Sequence, residues 1–442
     1  MGGRLMTKIY LKTFGCTLNT YDSNIMESYL LEAGFTLVDS IDKSDIVVLN
    51  TCGVKKQTED KIISHLRRIR NKYPNKKLVA TGCLPLINLD RLEAECSLDG
   101  ILGPSPGNEI VKALDLILSG EKYINLNTNK IEAPKIIRNG VTAPLAVSSG
   151  CLDKCSFCGT KNARGMVKSL DIESVIKSIK KYISRGIREI LLTSVDLGAY
   201  GFDLKPRKTY IDLLKSIKEL PGDFVVRVGM MNPRWVYMYL DELIELFRDN
   251  GRFYHFIHIP VQSGSDKVLS IMNRGHGVDE YLESVSRLRE ELGKDFTIMT
   301  DIIVGHPGED DYDFELTLEL IKETKPDFVN ISQFFPRPNT RSATMKKIPT
   351  KIIKERSREL SRLCDVILYE RNKLWRGWIG PILVNEFGKG RYLGRNYAYK
   401  IFAFESEADL LGKFMEVKSE RVYTTWLYAV PRKEASSIFD LH

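Results

Sequence analysis

Six apolar, strand-like runs recur along the middle of this chain, at 143–149, 189–196, 224–231, 254–262, 296–304 and 328–335. Helical patterns fill the gaps, at about 171–185, 209–219, 235–248, 278–292 and 310–324. Strand and helix in strict alternation predict parallel pairing, because each helix carries the chain back across the sheet before the next strand begins. Six such repeats are too few to close a full barrel and predict a partial, open β/α barrel. Barrels of this kind place their chemistry in the loops that follow the strands.

The loop after the first of these strands reads SSGCLDKCSFCGTKNARG, with Cys151, Cys155 and Cys158 spaced CxxxCxxC. Three thiolates on one loop can bind three irons of a cubane 4Fe-4S cluster, whereas a ferredoxin-type site supplies four. The missing ligand leaves one iron open, and an open iron implies chemistry rather than electron storage. A zinc knuckle is the competing reading, but zinc wants four ligands, usually as paired CxxC arms or with His partners. No His lies near this loop and no fourth Cys follows it. The spacing resembles the cluster loop of the radical S-adenosylmethionine (SAM) enzymes.

Ahead of the barrel, residues 7–122 read as a separate α/β unit. Strands are expected at 8–15, 45–51, 77–82 and 99–103, and helices near 21–33, 57–72 and 107–118. Cys16, Cys52 and Cys83 each follow an apolar run and each lies beside a Gly. In an open parallel sheet the carboxyl ends of the strands share one edge, and ligands bind there. Three thiols at three strand ends would therefore meet, and a second three-thiolate site is expected. Cys96 and Cys364 lack this context and are read as packed core. The helix after Cys52 is basic: segment 55–77 holds nine Lys/Arg, and the stripe Ile62, Leu66, Ile69 leaves its charged face free for phosphate or for solvent. Residues 123–142 look like a polar connector, and the second unit is placed at 137–367.

The amphipathic pattern at about 350–374 leads into a segment of short strands and turns, placed at 368–432 as a third unit. It holds 11 Lys/Arg against 7 Asp/Glu, and thirteen aromatics that include Trp375, Trp378, Tyr392, Tyr397, Tyr399 and Trp426. Basic and aromatic side chains on a small β-barrel suit nucleic acid, where rings stack on bases and cations meet phosphates. The net charge of +8 permits such a partner without requiring one. A length of 442 residues is consistent with two to four domains. No apolar stretch is long enough to span a membrane, and the start runs directly into a strand without a signal peptide. Met6 is an alternative start. Eight cysteines without an export signal point to a reducing cytoplasm and to metal use.

The segments TFGCTLNTYDSN, NTCGVKKQTE, TSVDLGAYG, HIPVQSGSDKVL, TDIIVGHPGE and FFPRPNTRSA, taken with the two cysteine sets, resemble the radical SAM methylthiotransferases over residues 7–432. TKNARG and TSVDLGAYG resemble the archaeal and eukaryotic branch, which modifies threonylcarbamoyladenosine (t6A) in tRNA beside the anticodon. The resemblance implies an N-terminal methylthiotransferase domain, a radical SAM partial barrel and a C-terminal TRAM domain. It implies that Cys151, Cys155 and Cys158 hold the cluster that binds SAM, and that Cys16, Cys52 and Cys83 hold a second 4Fe-4S cluster that delivers sulfur. The SAM-derived radical would take hydrogen from C2 of the modified adenine, a position no ordinary acid or base can activate. Phe157, Ser194, Asp196, Arg227 and Gln262 are expected at the SAM site, and Ser263 on the same rim. Arg suits a carboxylate partner such as that of SAM. Gly305, Pro307 and Gly308 are read as a turn. His255, His258, His276 and His306 are read as structural, without acid partners. An electron donor and a sulfur source are implied as partners, and a monomer suffices. The remaining readings are methylthiolation of isopentenyladenosine tRNA or of a ribosomal-protein aspartate, and a non-catalytic iron–sulfur RNA-binding protein.

Overall fold

The computed structural model describes residues 7–127, 131–134, 140–248 and 251–439. Met6 and residue 137, the expected start of the central unit, lie outside the described residues, as does part of the 123–142 connector.

The N-terminal unit is a six-stranded parallel sheet in the order Thr36–Leu37, Lys8–Thr13, Ile46–Thr51, Lys77–Gly82, Gly100–Leu102, Tyr123–Asn125. Ile46–Thr51 is buried at every position and Lys77–Gly82 at all but the first. Strands covered on both faces read as unbroken apolar runs, which is why these two are plain in the sequence. Helices Thr17–Glu32 and Glu109–Leu118 cover one face of the sheet. Lys56–Lys72 and Leu89–Glu95 cover the other. Lys56–Lys72 buries Ile62, Ile63, Leu66 and Ile69 and turns Lys61, Arg67, Arg68 and Lys72 to solvent. Each fully buried Leu or Ile contributes about 1.5–3 kcal/mol, enough to fix which face of the helix points inward. The reading of 123–142 as connector needs a correction. Its first residues form the edge strand Tyr123–Asn125, too short and too exposed to carry an apolar signature.

In the central unit, Thr142–Ala146, Glu189–Thr193 and Val225–Arg227 pair in parallel, and so do Phe256–His258, Thr297–Val304 and Phe328–Gln333. A bridge between Val226 and Phe253 joins the two halves into one open arc of six strands. Spatial order follows chain order, and helices Ile172–Ile183, Tyr210–Lys218, Leu240–Arg248, Val278–Leu292 and Asp311–Thr324 pack outside it. The structure adds two short helices. Pro233–Met238 precedes Leu240–Arg248, where one helix was expected. Asp266–Met272 opens on Ser265, whose hydroxyl accepts from Val268 N, and ends at Asn273 in the left-handed region.

Helix Thr350–Lys373 runs unbroken through the expected boundary at 367/368. Beyond it, Ile379–Gly388, Arg391–Arg395, Ile401–Phe404, Phe414–Val422 and Leu427–Glu434 close into a five-stranded barrel, the last strand passing residue 432. Full closure leaves no unpaired sheet edge. Several of its aromatics are inside it. Trp375, Tyr392, Phe402 and Phe404 form its core, with Trp378 and Tyr397 packed against them. Tyr399 turns toward Tyr254 and Phe256 of the central unit, each at 4.8 Å. Trp426 stacks on Tyr423 at 4.2 Å, and Tyr423 and Phe387 remain exposed.

The barrel seats against the amino ends of the central strands. Asn385 Nδ2 donates to Glu189 (2.9 Å), Thr297 Oγ1 to Ala398 O (2.8 Å) and Lys400 Nζ to Asp327 (2.8 Å). Arg371 and Arg289 also meet Asp327. Burial alone would raise the Asp327 carboxyl, but the charges of Lys400, Arg371 and Arg289 reverse this and hold it down at about 2. The carboxyl ends of the strands, where the cysteine loop sits, are therefore at the other end of the molecule. Among the described residues no helix is long and apolar enough to cross a membrane.

Candidate active site

Cys52 and Cys83 directly follow the strands Ile46–Thr51 and Lys77–Gly82, and Cys16 is the third residue after Lys8–Thr13. These three strands are neighbours in the sheet, so the topology brings the thiols to one edge. Gly15 and Gly82 make the approach possible. Gly15 has φ +115°, and a Cβ there would stand 2.7 Å from Cys52 Cβ. Gly82 has φ +98°, and a Cβ would stand 2.4 Å from both Asn50 Oδ1 and the Thr51 carbonyl. Only glycine takes that backbone and that space together.

Asn19, in the first turn of helix Thr17–Glu32, is the hub of this site. Its Oδ1 faces Cys83 Sγ at 3.8 Å and Cys16 Sγ at 4.0 Å. Its Nδ2 donates to Phe14 O (2.9 Å) and Thr51 O (3.1 Å), which fixes the amide orientation. Cys52 and Cys83 are buried and Cys16 is exposed, so the site opens on one side. Burial pushes the Cys83 thiol up to about 11, and pushes Cys52 up as well. Such thiols become thiolates only beside a strong positive charge, and iron is one that soft sulfur ligands select.

The second set lies on the loop after strand Thr142–Ala146. Cys158 N donates to Cys155 O (3.1 Å), and Asp153 N donates to Cys151 Sγ (3.3 Å), giving a tight turn. Burial, with Asp196 and Asp153 nearby, pushes the Cys151 thiol up to about 12. Burial also raises Cys155, against which Arg274 acts by donating from Nη1 to its Sγ at 3.3 Å. The loop is braced from outside. Ser156 N donates to Met272 O (2.9 Å), Asn273 Nδ2 to Lys154 O (2.9 Å), and Asn232 Nδ2 and Arg234 both meet Asp153.

The residues expected around SAM differ in their surroundings. Ser194 Oγ, Ser148 Oγ and Arg227 Nε are buried without a hydrogen-bond partner. Orphaned buried polar atoms are of the kind that a polar ligand completes. Asp196 lies beside Cys151 and Asp153, within 4.8 Å. Its carboxylate accepts from Gly198 N (3.2 Å), Asn232 N (3.2 Å) and Trp235 Nε1 (3.1 Å), so its oxygens already brace the neighbouring loops. Burial pushes its carboxyl up to about 6. Gln262 sits at the strand-end bridge with Ile302 and holds φ +77°, a strained backbone for a non-glycine residue. Phe157 meets His306 edge to face at 6.1 Å. Ser263 turns away from the rim, its hydroxyl engaged with Thr317 and Ser265. Gly305 and Gly308 have positive φ in the following turn. His258 finds an acid partner 43 residues away in sequence. Its Nε2 stands 3.1 Å from Asp301, which also accepts from Asn330 Nδ2 at 2.8 Å.

The two cysteine sets face one another across a single interface. Helix Gly159–Arg164, directly behind the CxxxCxxC loop, packs Ala163 against Cys83 and Ile87. Arg337 of the central unit meets the fully buried Glu59 of the basic helix. Arg164 reaches Asn19 and Asp22 in the other unit. Cys364 lies in the central core, and Cys96 packs in the same apolar cluster of the N-terminal unit as Cys52.

Residues 145–321 match the family described as the Radical SAM superfamily, and residues 8–103 match the one described as uncharacterized protein family UPF0004. The TsrM methyltransferase of Kitasatospora setae, solved with cobalamin and a [4Fe-4S] cluster, shares the fold at TM-score 0.55 and 13% identity, covering 76% of this chain and 74% of that one. Fold and three-thiol loop together define a radical SAM protein, a class that carries a 4Fe-4S cluster and SAM. The Pyrococcus abyssi protein named probable threonylcarbamoyladenosine tRNA methylthiotransferase is 38% identical over 94% of this chain and 97% of its own length. The Danio rerio threonylcarbamoyladenosine tRNA methylthiotransferase is 32% identical over 97% of this chain and 79% of its own length. This chain belongs to that methylthiotransferase family, whose members carry a second cluster.

Proposed function

We propose that this chain inserts a methylthio group at C2 of N6-threonylcarbamoyladenosine, 3′ of the anticodon in tRNA. The observation that carries the reading is the pairing of two three-thiol sites, each one ligand short of a closed cluster, across one buried interface. When bound, the first cluster with SAM supplies hydrogen abstraction at C2, and the second supplies the sulfur. Cys151, Cys155 and Cys158 hold the first cluster; Cys16, Cys52 and Cys83 hold the second.

The protein's own groups orient and enclose. Arg274 steadies Cys155, and Asp153 with Asn232 and Arg234 holds the loop in place. Ser194, Arg227 and Gln262 bind the polar groups of SAM, Phe157 lies along the loop, and Asp196 positions the 196–198 turn beside Cys151. Units 7–122, 137–367 and 368–432 divide the work into sulfur delivery, radical generation and RNA binding. The helix Lys56–Lys72 lies on the cysteine side and turns its cations outward, so the RNA backbone meets it near the site. A cytoplasmic monomer served by a separate electron donor and a sulfur source completes the reading.

The test is nucleoside mass spectrometry of t6A-containing tRNA, treated anaerobically with reconstituted protein, SAM and a reductant. The methylthio derivative is the expected product. Deoxyadenosine without any modified nucleoside would remove the substrate assignment and leave the radical chemistry.

A further inference from the structure

Arg164 is the sixth residue after Cys158 and belongs to the central unit, yet its guanidinium lies in the N-terminal unit's cysteine site. It is 2% exposed. Nη2 donates to Asp22 at 2.6 Å and to Asn19 Oδ1 at 2.8 Å, and Nη1 reaches Ser149 Oγ at 3.4 Å. The Asn19 oxygen is the same atom that faces Cys83 and Cys16. Burial opposes the charge on Arg164, but Asp22, Cys83 and Cys16 outweigh that, and a guanidinium does not give up its proton in a protein. Its charge also acts on Cys83 directly, against the rise that burial causes.

A tie between two domains needs only the Arg164–Asp22 pair. The bond to Asn19 is extra, and it places a permanent, buried cation beside two of three thiols. Charges interact more strongly in such surroundings than in bulk solvent. A cluster on three thiolates is anionic, and gains a further negative charge when reduced. A fixed cation nearby favours the reduced form, and a fixed anion opposes it.

We propose that Arg164 is a positioning residue for the second cluster, a cation lent by the peptide behind the CxxxCxxC loop that raises the electron affinity of iron held by Cys16, Cys52 and Cys83. The inference rests on the reading of those three cysteines as cluster ligands. Asp22 is the counterweight: it holds Arg164 in place and offsets part of its charge. The device also joins the two sites mechanically, since the chain from Cys158 to Arg164 is a single short helix and its approach.

The experiment uses the full chain with Cys151, Cys155 and Cys158 replaced by Ala, so that only the second site holds iron. Potentiometric titration followed by EPR is run on Arg164→Gln, Arg164→Lys and Asp22→Asn in that background. Arg164→Gln is expected to shift the midpoint to more negative potential, Asp22→Asn to more positive, and Arg164→Lys to stay close to the parent. Opposite signs are the signature of charge, because a purely structural tie would not move two members of one pair in opposite directions. If Arg164→Gln does not retain iron, Asp22→Asn still decides. An unmoved or negative shift there overturns the proposal, as does an unmoved midpoint in Arg164→Gln with iron retained. Iron analysis of Cys52→Ala in the same background separates the two levels, since unchanged iron content would remove the ligand reading itself.

Discussion

Cys151, Cys155 and Cys158 fall within eight consecutive residues, whereas Cys16, Cys52 and Cys83 are gathered from three strands across 68 residues. The first set is braced from outside by Met272, Asn273, Asn232 and Arg234, residues of the same barrel. The second is braced by Asn19 within its own unit and by Arg164 from the other. A contiguous loop can present its thiols with little help from the fold. A dispersed set exists only when the sheet has formed and its edge is ordered, so its metal content reports on the fold as well as on the ligands.

Breaking one set at a time gives the largest effects. Cys155→Ala should abolish deoxyadenosine formation from SAM, and Cys52→Ala should retain most of it while the methylthio nucleoside disappears; chromatography of both products decides. Normal methylthio product from Cys52→Ala would end the division of labour. Next comes a substitution remote from both sets. Asp327→Asn leaves the buried Lys400 and the half-buried Arg371 and Arg289 around a neutral side chain, at a cost of about 3–5 kcal/mol. The folded Asp327 carboxyl sits at about 2, below the unfolded value of about 3.9. Its stabilisation is therefore full above the unfolded value and fades as pH falls toward 2. Denaturant titrations of Asp327→Asn should show a smaller loss of stability between pH 5 and 2 than the parent (a window of about this width follows from the two values), with iron content unchanged.

A smaller effect sharpens the contrast in assembly. Gly82→Ala forces a Cβ into Asn50 and Thr51 on a backbone at φ +98°, a strain of about 1–3 kcal/mol. Iron analysis should show loss from the second set alone, so the chain keeps roughly half of its metal. The smallest effect is expected from Lys61→Ala with Arg68→Ala, both exposed on the basic helix. Removing two phosphate contacts should reduce the salt slope of tRNA binding by about 2 while leaving both clusters intact. An unchanged slope would return that face to solvent.

Legibility followed the same divide. Five of the six central strands and the strands Ile46–Thr51 and Lys77–Gly82 could be read because burial writes them as apolar runs, and Phe328–Gln333, only half-buried, was read from its place in the alternation. Tyr123–Asn125 and Asp266–Met272 could not, being three and seven residues long with no period to display. The CxxxCxxC loop announced itself by spacing, and the second set by strand ends beside glycine. The partners that make either set work were silent. Arg274 stands 119 residues from Cys155, and Arg164 stands 145 residues from Asn19. Both are common residue types with no pattern around them, and only the packed fold joins them. Arg164 lay in a string noted for its family resemblance, which marked the segment but not its destination. Which rings of the C-terminal barrel face outward was silent for a related reason, since composition counts rings without telling inner from outer faces of a closed barrel.

The crossing of Arg164 into the neighbouring unit bears on inheritance. A chimera that joins the first unit of one relative to the barrel of another is cut between Asp22 and Arg164, and so parts a buried ion pair. Where a descendant replaces Arg164 by a neutral side chain, Asp22 should change with it, since a lone buried carboxylate is costly. Asn19, Asp22 and Arg164 thus form one unit of variation, although a domain boundary runs through the middle of it.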